Sequence, residues 1–237
     1  GEEHARHASS YHAVSDRART SEGVRPSSVA IPRRHPALEV AHALGCDILC
    51  GVTYSTLGWR SGEPPTEREY ENIAKALRPV ARKARGYGMR LGIEPCNRYE
   101  THLLNTAGQA LAMIERIGEE NVTIHLDTYH MNIEEKGIAN GVLTAGEHLK
   151  YIHLSASDRG TPGQDTVAWD EVFAALAAIG FKGGMAMESF IEVPPQIASA
   201  LSVWRPVAPS REEVLGIGLP YLRAKAAQYG LTERALV

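Results

Sequence analysis

The chain has 237 residues, with 25 Lys+Arg against 28 Asp+Glu, a formal charge of -3, 43% hydrophobic residues and 22% charged ones. That is the make-up of a globular protein with enough chain for a sizeable core, in one domain or two small ones. The near balance of charge excludes the footprint of a nucleic-acid or anionic-membrane binder, and no run nears the roughly 18 consecutive apolar residues of a membrane span.

Residues 1–35, GEEHARHASSYHAVSDRARTSEGVRPSSVAIPRRH, hold neither helical nor strand periodicity and no basic-then-apolar signal pattern. They are expected to form an irregular arm, with His4, His7 and His12 as surface residues. From Pro36 the texture changes. PALEVAHALG predicts a short helix ended by Gly45, and CDILCGVTY a buried strand. After the loop GWRSGEPPT, Thr66 and Glu69 have the spacing of a capping box. They introduce a helix through EREYENIAKALRPVARKARGYG, where Pro79 predicts a kink. MRLGIEP, NVTIHLD, LKYIHLS and GGMAMESF read as further strands. NTAGQALAMIERIG and VAWDEVFAALAAIG read as helices stopped by Gly118 and Gly180. EEKGIANGVLTAG is helical in part, and the remainder supplies another helix or two.

Strands and helices thus alternate at short intervals, and the strands are apolar runs, as expected where helices cover them. A parallel barrel or an open doubly wound sheet fits, and the absence of GxGxxG or GxxxxGK[ST] weighs against nucleotide-binding versions of the second. Cys46, Cys50 and Cys96 lack zinc-site spacing, which points to a reducing, cytoplasmic setting.

Polar residues favour the barrel. Glu94 ends RLGIE, Asp127 ends VTIHLD, His153 lies near the end of KYIHLS, and Glu188 ends GMAME. In a barrel these strand ends converge on one rim, where active sites lie. Three neighbouring carboxylates repel one another unless a positive charge sits between them. A divalent cation answers that need, and three oxygens with one nitrogen suit Mn, Co, Mg or Zn. His125 shares a face with Asp127 and reads as a packed core histidine in preference to a hydrogen-bonding partner of the site. Glu100, His130 and Arg159 fall in the loops at the same rim and would suit a small polyol.

EPCNRYETHLLNT, HLDTYHMNIEE, YIHLSASDRG and AMESF resemble the signature segments of the ketose 3-epimerases, within the xylose-isomerase-like (β/α)8 barrels. The resemblance covers about residues 36–230. It implies one Mn²⁺, Co²⁺ or Mg²⁺ held by Glu94, Asp127, His153 and Glu188. Glu94 and Glu188 would also be the acid/base pair inverting C3 of a free ketose, while Glu100, His130 and Arg159 hold sugar hydroxyls. Tyr54 and Trp59 line the sugar pocket or simply pack. An assembly of two or four copies is expected by the same resemblance.

Two departures qualify it. Ala156 stands where tagatose-type members often have a glutamate. Only five strands are counted in residues 36–237, so the barrel is expected to be incomplete, a metal-binding part behind an unrelated arm. The alternatives are an aldose–ketose or hydroxypyruvate-type isomerase on the same site, or an inactive barrel that still binds metal.

Overall fold

The five apolar runs form five strands: β1 (Ile48–Gly51), β2 (Arg90–Ile93), β3 (Val122–Asp127), β4 (Leu149–Ser155) and β5 (Gly184–Glu188). Each pairs in parallel with the next, in the spatial order β1-β2-β3-β4-β5. The computed structural model describes residues 36–195, 198 and 201–231; the arm expected over residues 1–35 lies outside them. Among the described residues β1 and β5 are the sheet edges, so the sheet is a five-strand section of a parallel barrel.

The helices are α1 (Pro36–Ala43), α2 (Glu67–Gly86), α3 (Ala107–Ile117), α4 (Thr128–Glu134), α5 (Ile138–Ala145) and α6 (Trp169–Ala178). A short α7 (Arg211–Glu213) runs through the π-helical segment Val214–Gly218 into α8 (Leu219–Gln228). Among the described residues no helix is long and apolar enough to cross a membrane.

Helix α2 shows how local sequence sets the layer. Its buried residues Ile73, Leu77, Val80, Ala81 and Ala84 recur every three or four positions, one helical face. The capping box forms: the Thr66 hydroxyl accepts from the Glu69 N–H, and the Glu69 carboxylate accepts from the Thr66 N–H at 2.8 Å. The helix continues through Pro79, its fixed φ compatible with the helical value. Arg78 donates to the Ile117 and Arg116 carbonyls, satisfying the end of α3, and Gly118 closes that helix at φ 68°.

The strand side chains divide by alternation. Leu91, Ile93, Val122, Ile124, Leu126, Ile152 and Leu154 enter the core shared with the helices. The opposite parity carries Glu94, His125, Asp127, His153, Ser155 and Glu188. Gly92 shares this second face by parity, and glycine fits there because a Cβ would stand 2.6 Å from the Cys50 Cβ on β1.

Candidate metal and substrate site

Register brings the strand ends together. Asp127 is the Cα partner of His153, and Ser155 is the partner of Glu188. Glu94 follows β2 directly, its N–H donating to the Gly51 carbonyl at 3.1 Å. Tyr54, fully buried, shares its hydroxyl proton between the Glu94 carbonyl at 2.9 Å and the Leu104 carbonyl at 3.2 Å. Of the two readings for Tyr54, packing is the one observed: it anchors the backbone beneath Glu94. Trp59 stands at the periphery, 40% exposed and edge-on to His102 at 5.4 Å.

His153 Nδ1 lies 3.6 Å from Asp127 Oδ2 and 3.5 Å from Glu188 Oε1. Donor atoms from these three residues fit within 4.8 Å of one another, while Glu94 joins His153 in a second group with His125. The expected quartet is therefore two overlapping groups hinged on His153. Asp127 is fully buried; its Oδ1 caps α4 by accepting from the Tyr129 N–H at 2.7 Å, which leaves Oδ2 facing the cluster.

Arg159 closes the arrangement. Its Nη1 donates to Asp127 Oδ2 at 2.7 Å, to Glu188 Oε2 at 2.5 Å and to Ser155 Oγ at 2.9 Å. The guanidinium is held between the rings of Tyr129 and Phe190, at 4.1 and 4.6 Å. Its backbone takes φ 65°, a left-handed conformation unusual for arginine, and its carbonyl accepts from the Phe190 N–H at 2.9 Å. Arg159 Nη2 also reaches His130 Nε2 at 3.2 Å. His130 Nδ1 accepts from the Asn97 N–H at 3.2 Å, and Asn97 Nδ2 donates to Glu100 Oε1 at 2.9 Å. Glu100, His130 and Arg159 thus form one continuous network with the strand-end carboxylates.

The electrostatics show an excess of negative charge. Burial, reinforced by the Asp127 and Glu188 carboxylates, pushes Glu94 up to about 8. Burial also raises Glu100. Burial opposes ionisation of Asp127 as well, but Arg159 and His153 hold it well below the usual carboxylate range. His153 loses solvation, yet Asp127 and Glu188 hold it up to about 10. Burial takes His130 down to about 4.

These residues fit a divalent cation. His153 Nδ1 is buried without a hydrogen-bond partner, and it faces two carboxylate oxygens at the distances quoted above. Bonds of about 2.1 Å place neighbouring ligand atoms about 3 to 3.5 Å apart. A nitrogen among carboxylates suits a hard to borderline ion.

Three contributors, Ser155, Asn97 and Phe190, are not among the residues the sequence singles out, and a fourth, His125, reads there as core packing. Ser155 carries a parity signal, two residues after His153 on the same strand. Asn97 and Phe190 lie in loops, where periodicity is silent. His125 is buried as a core histidine should be, at 1% exposure, but its Nδ1 stands 3.4 Å from Glu94 Oε2 and both ring nitrogens lack hydrogen-bond partners.

Residues 26–208 match the family described as xylose isomerase-like TIM barrel. The chain belongs to that family. It is 38% identical over 191 residues to an L-ribulose 3-epimerase of Methylomonas sp. (strain DH-1), and 39% identical over 191 residues to a ketose 3-epimerase of Arthrobacter globiformis. Each match covers 80% of this chain and 66% of the relative. A crystal structure of a Methylomonas sp. D-allulose 3-epimerase in complex with D-allulose superposes with a TM-score of 0.76 at 37% identity, over 80% of this chain and 66% of that one. The chain therefore spans just under two-thirds of the length of these relatives. The expected incomplete xylose-isomerase-like barrel is the observed fold.

Proposed function

We propose that the protein is a metal-dependent ketose 3-epimerase, inverting C3 of a free ketose by proton transfer between two glutamates. What carries the reading is the placing of Glu94 and Glu188. Glu94 follows β2 and Glu188 ends β5, three strand positions apart on one rim, with Asp127 and His153 from the intervening strands between them. The curated relatives named above, all ketose 3-epimerases or L-ribulose 3-epimerases, support it.

Glu94, Asp127, His153 and Glu188 would hold the ion, with Mn²⁺ the first choice and Co²⁺ or Mg²⁺ also suited. When bound, such an ion polarises a carbonyl and acidifies the neighbouring C–H. One glutamate takes the C3 proton, breaking the C3–H bond and leaving that carbon planar. The other glutamate delivers a proton to the opposite face, which inverts the centre. The two carboxylates end the cycle with their protonation exchanged, ready for the reverse direction or for re-equilibration with solvent. Arg159 supplies a fixed positive charge for the substrate oxygens as electron density moves onto them. Glu100 and His130, kept in place by Asn97, bind and orient the hydroxyls.

The test is an assay of the chain with Mn²⁺ or Co²⁺ against D-fructose, D-allulose, D-tagatose and L-ribulose, resolving products by chromatography. The C3 epimer is expected. An aldose product instead would mean proton transfer between C1 and C2 by a single base, and would replace this reading with that of an isomerase.

A further inference from the structure

His125 is the polar side chain that the rim chemistry leaves over. It lies on β3, two residues before Asp127 and on the same face, 1% exposed, with neither Nδ1 nor Nε2 hydrogen-bonded. An imidazole buried in this way forfeits its hydration and gains no partner in return. It is not isolated from other donors. Nδ1 is 3.4 Å from Glu94 Oε2, and the ring meets that of His153 edge-on, centroids 4.3 Å apart. One donor atom from each of Glu94, His125 and His153 falls within 4.8 Å of the others. A tetrahedral ion with bonds of about 2.1 Å sets its ligand atoms about 3.4 Å apart.

We propose that Glu94, His125 and His153 form a second cation position, taking a nitrogen-preferring ion such as Zn²⁺. Two imidazoles, one carboxylate and an open fourth place are a common zinc set. Asp127, His153 and Glu188 offer one nitrogen and two carboxylates, the balance that suits Mn²⁺ or Mg²⁺. The two positions exclude one another, because both draw on His153 and, in the reading above, on Glu94. Zn²⁺ therefore settles one layer deeper than the rim and withdraws two ligands from it, which makes it a competitor of the activating ion. The Zn²⁺ position rests on donor geometry alone. Only the Mn²⁺ comparison borrows the rim assignment.

The test is calorimetric titration of the full chain, freed of metal by chelation and dialysis, with Zn²⁺ and separately with Mn²⁺. His125→Leu should weaken Zn²⁺ by at least about tenfold and leave Mn²⁺ within about threefold, while Asp127→Asn should do the reverse, since losing a ligand or its support costs such factors. A readout on the unaltered chain covers the case in which His125→Leu does not fold. In ¹⁵N spectra of the imidazoles, Zn²⁺ should shift both His125 and His153. The proposal is overturned if Zn²⁺ fails to bind the unaltered chain, if His125→Leu binds it as tightly, if His125→Leu weakens both ions alike, or if only His153 shifts. Failure of Mn²⁺ alone to bind would overturn the rim assignment and leave the Zn²⁺ position standing.

Discussion

Arg159→Met removes the guanidinium that bridges Asp127 and Glu188, and the structure sets the size of the effect. Arg159 is 5% exposed by side chain and Asp127 0%, whereas Glu188 is 27% exposed and keeps some hydration. Removing one partner of a buried ion pair costs about 3–5 kcal/mol, because the other charge stays behind. With Glu188 partly hydrated the lower end applies, about 3 kcal/mol. For a domain of this size each kcal/mol moves Tm by about 2–4 °C, so the chelated variant should melt about 6–12 °C below the chelated parent. Methionine keeps much of the apolar stem between Tyr129 and Phe190, so the loss reports charge more than packing. The assay is thermal unfolding followed by circular dichroism, with chelator and then with excess Mn²⁺. An ion at one hundred times its Kd adds about 2.7 kcal/mol to any protein that binds it only when folded. The variant should gain more than the parent, because there the ion becomes the main counter-charge to Asp127. A chelated variant melting within 2 °C of the parent would refute the reasoning, as would an equal gain from Mn²⁺ in both.

Three further outcomes are expected. Asn97→Ala releases Glu100 and loosens the support of His130, so KM for the ketose should rise by about tenfold with little change in kcat, the mark of lost binding common to ground and transition states. Thr66→Ala removes half of the capping box on α2 and should cost about 1 kcal/mol, seen as a lower denaturant midpoint with unchanged m-value. In chelated protein, Glu94 is held up to about 8 against its ordinary 4.5, so it takes up a proton on folding between those values. Its stabilising contribution is complete below pH 4.5 and is lost as the pH rises through about 8. Glu94→Gln should flatten that part of the stability–pH curve, and an unchanged slope would show that the buried carboxylate is not its source.

The strands were legible because helices cover them: VTIHLD and KYIHLS are apolar runs ending in a polar residue, and both became strands at those residues. Thr66 with Glu69, and Gly118, mark helix ends through local chemistry that needs no tertiary context, and both hold. Helix α4 is less visible, since it starts on Thr128 with no loop after β3 and Asp127 serves at once as strand end and N-cap. The clustering of ionisable groups was legible where they fall at strand ends, as with Glu94, Asp127, His153 and Glu188. It was not legible where position depends on loops closing over the rim. Arg159 could be assigned to the rim from its distance to His153, but not its left-handed backbone or its seat between Tyr129 and Phe190, which come from separate elements. His125 shows the limit of parity: alternation placed it on the face of Asp127, but only the fold brings Glu94 from the next strand to within 3.4 Å.

The proposal that Glu94 and Glu188 exchange a proton across C3 is tested most directly by labelling. The chain with Mn²⁺ is incubated with D-fructose in D₂O and the sugars are followed by ¹H and ²H NMR. The account predicts D-allulose carrying solvent deuterium at C3, with C1 unlabelled, and no conversion by Glu94→Gln or Glu188→Gln. Deuterium at C1, or C3 inversion that persists in either variant, would contradict it.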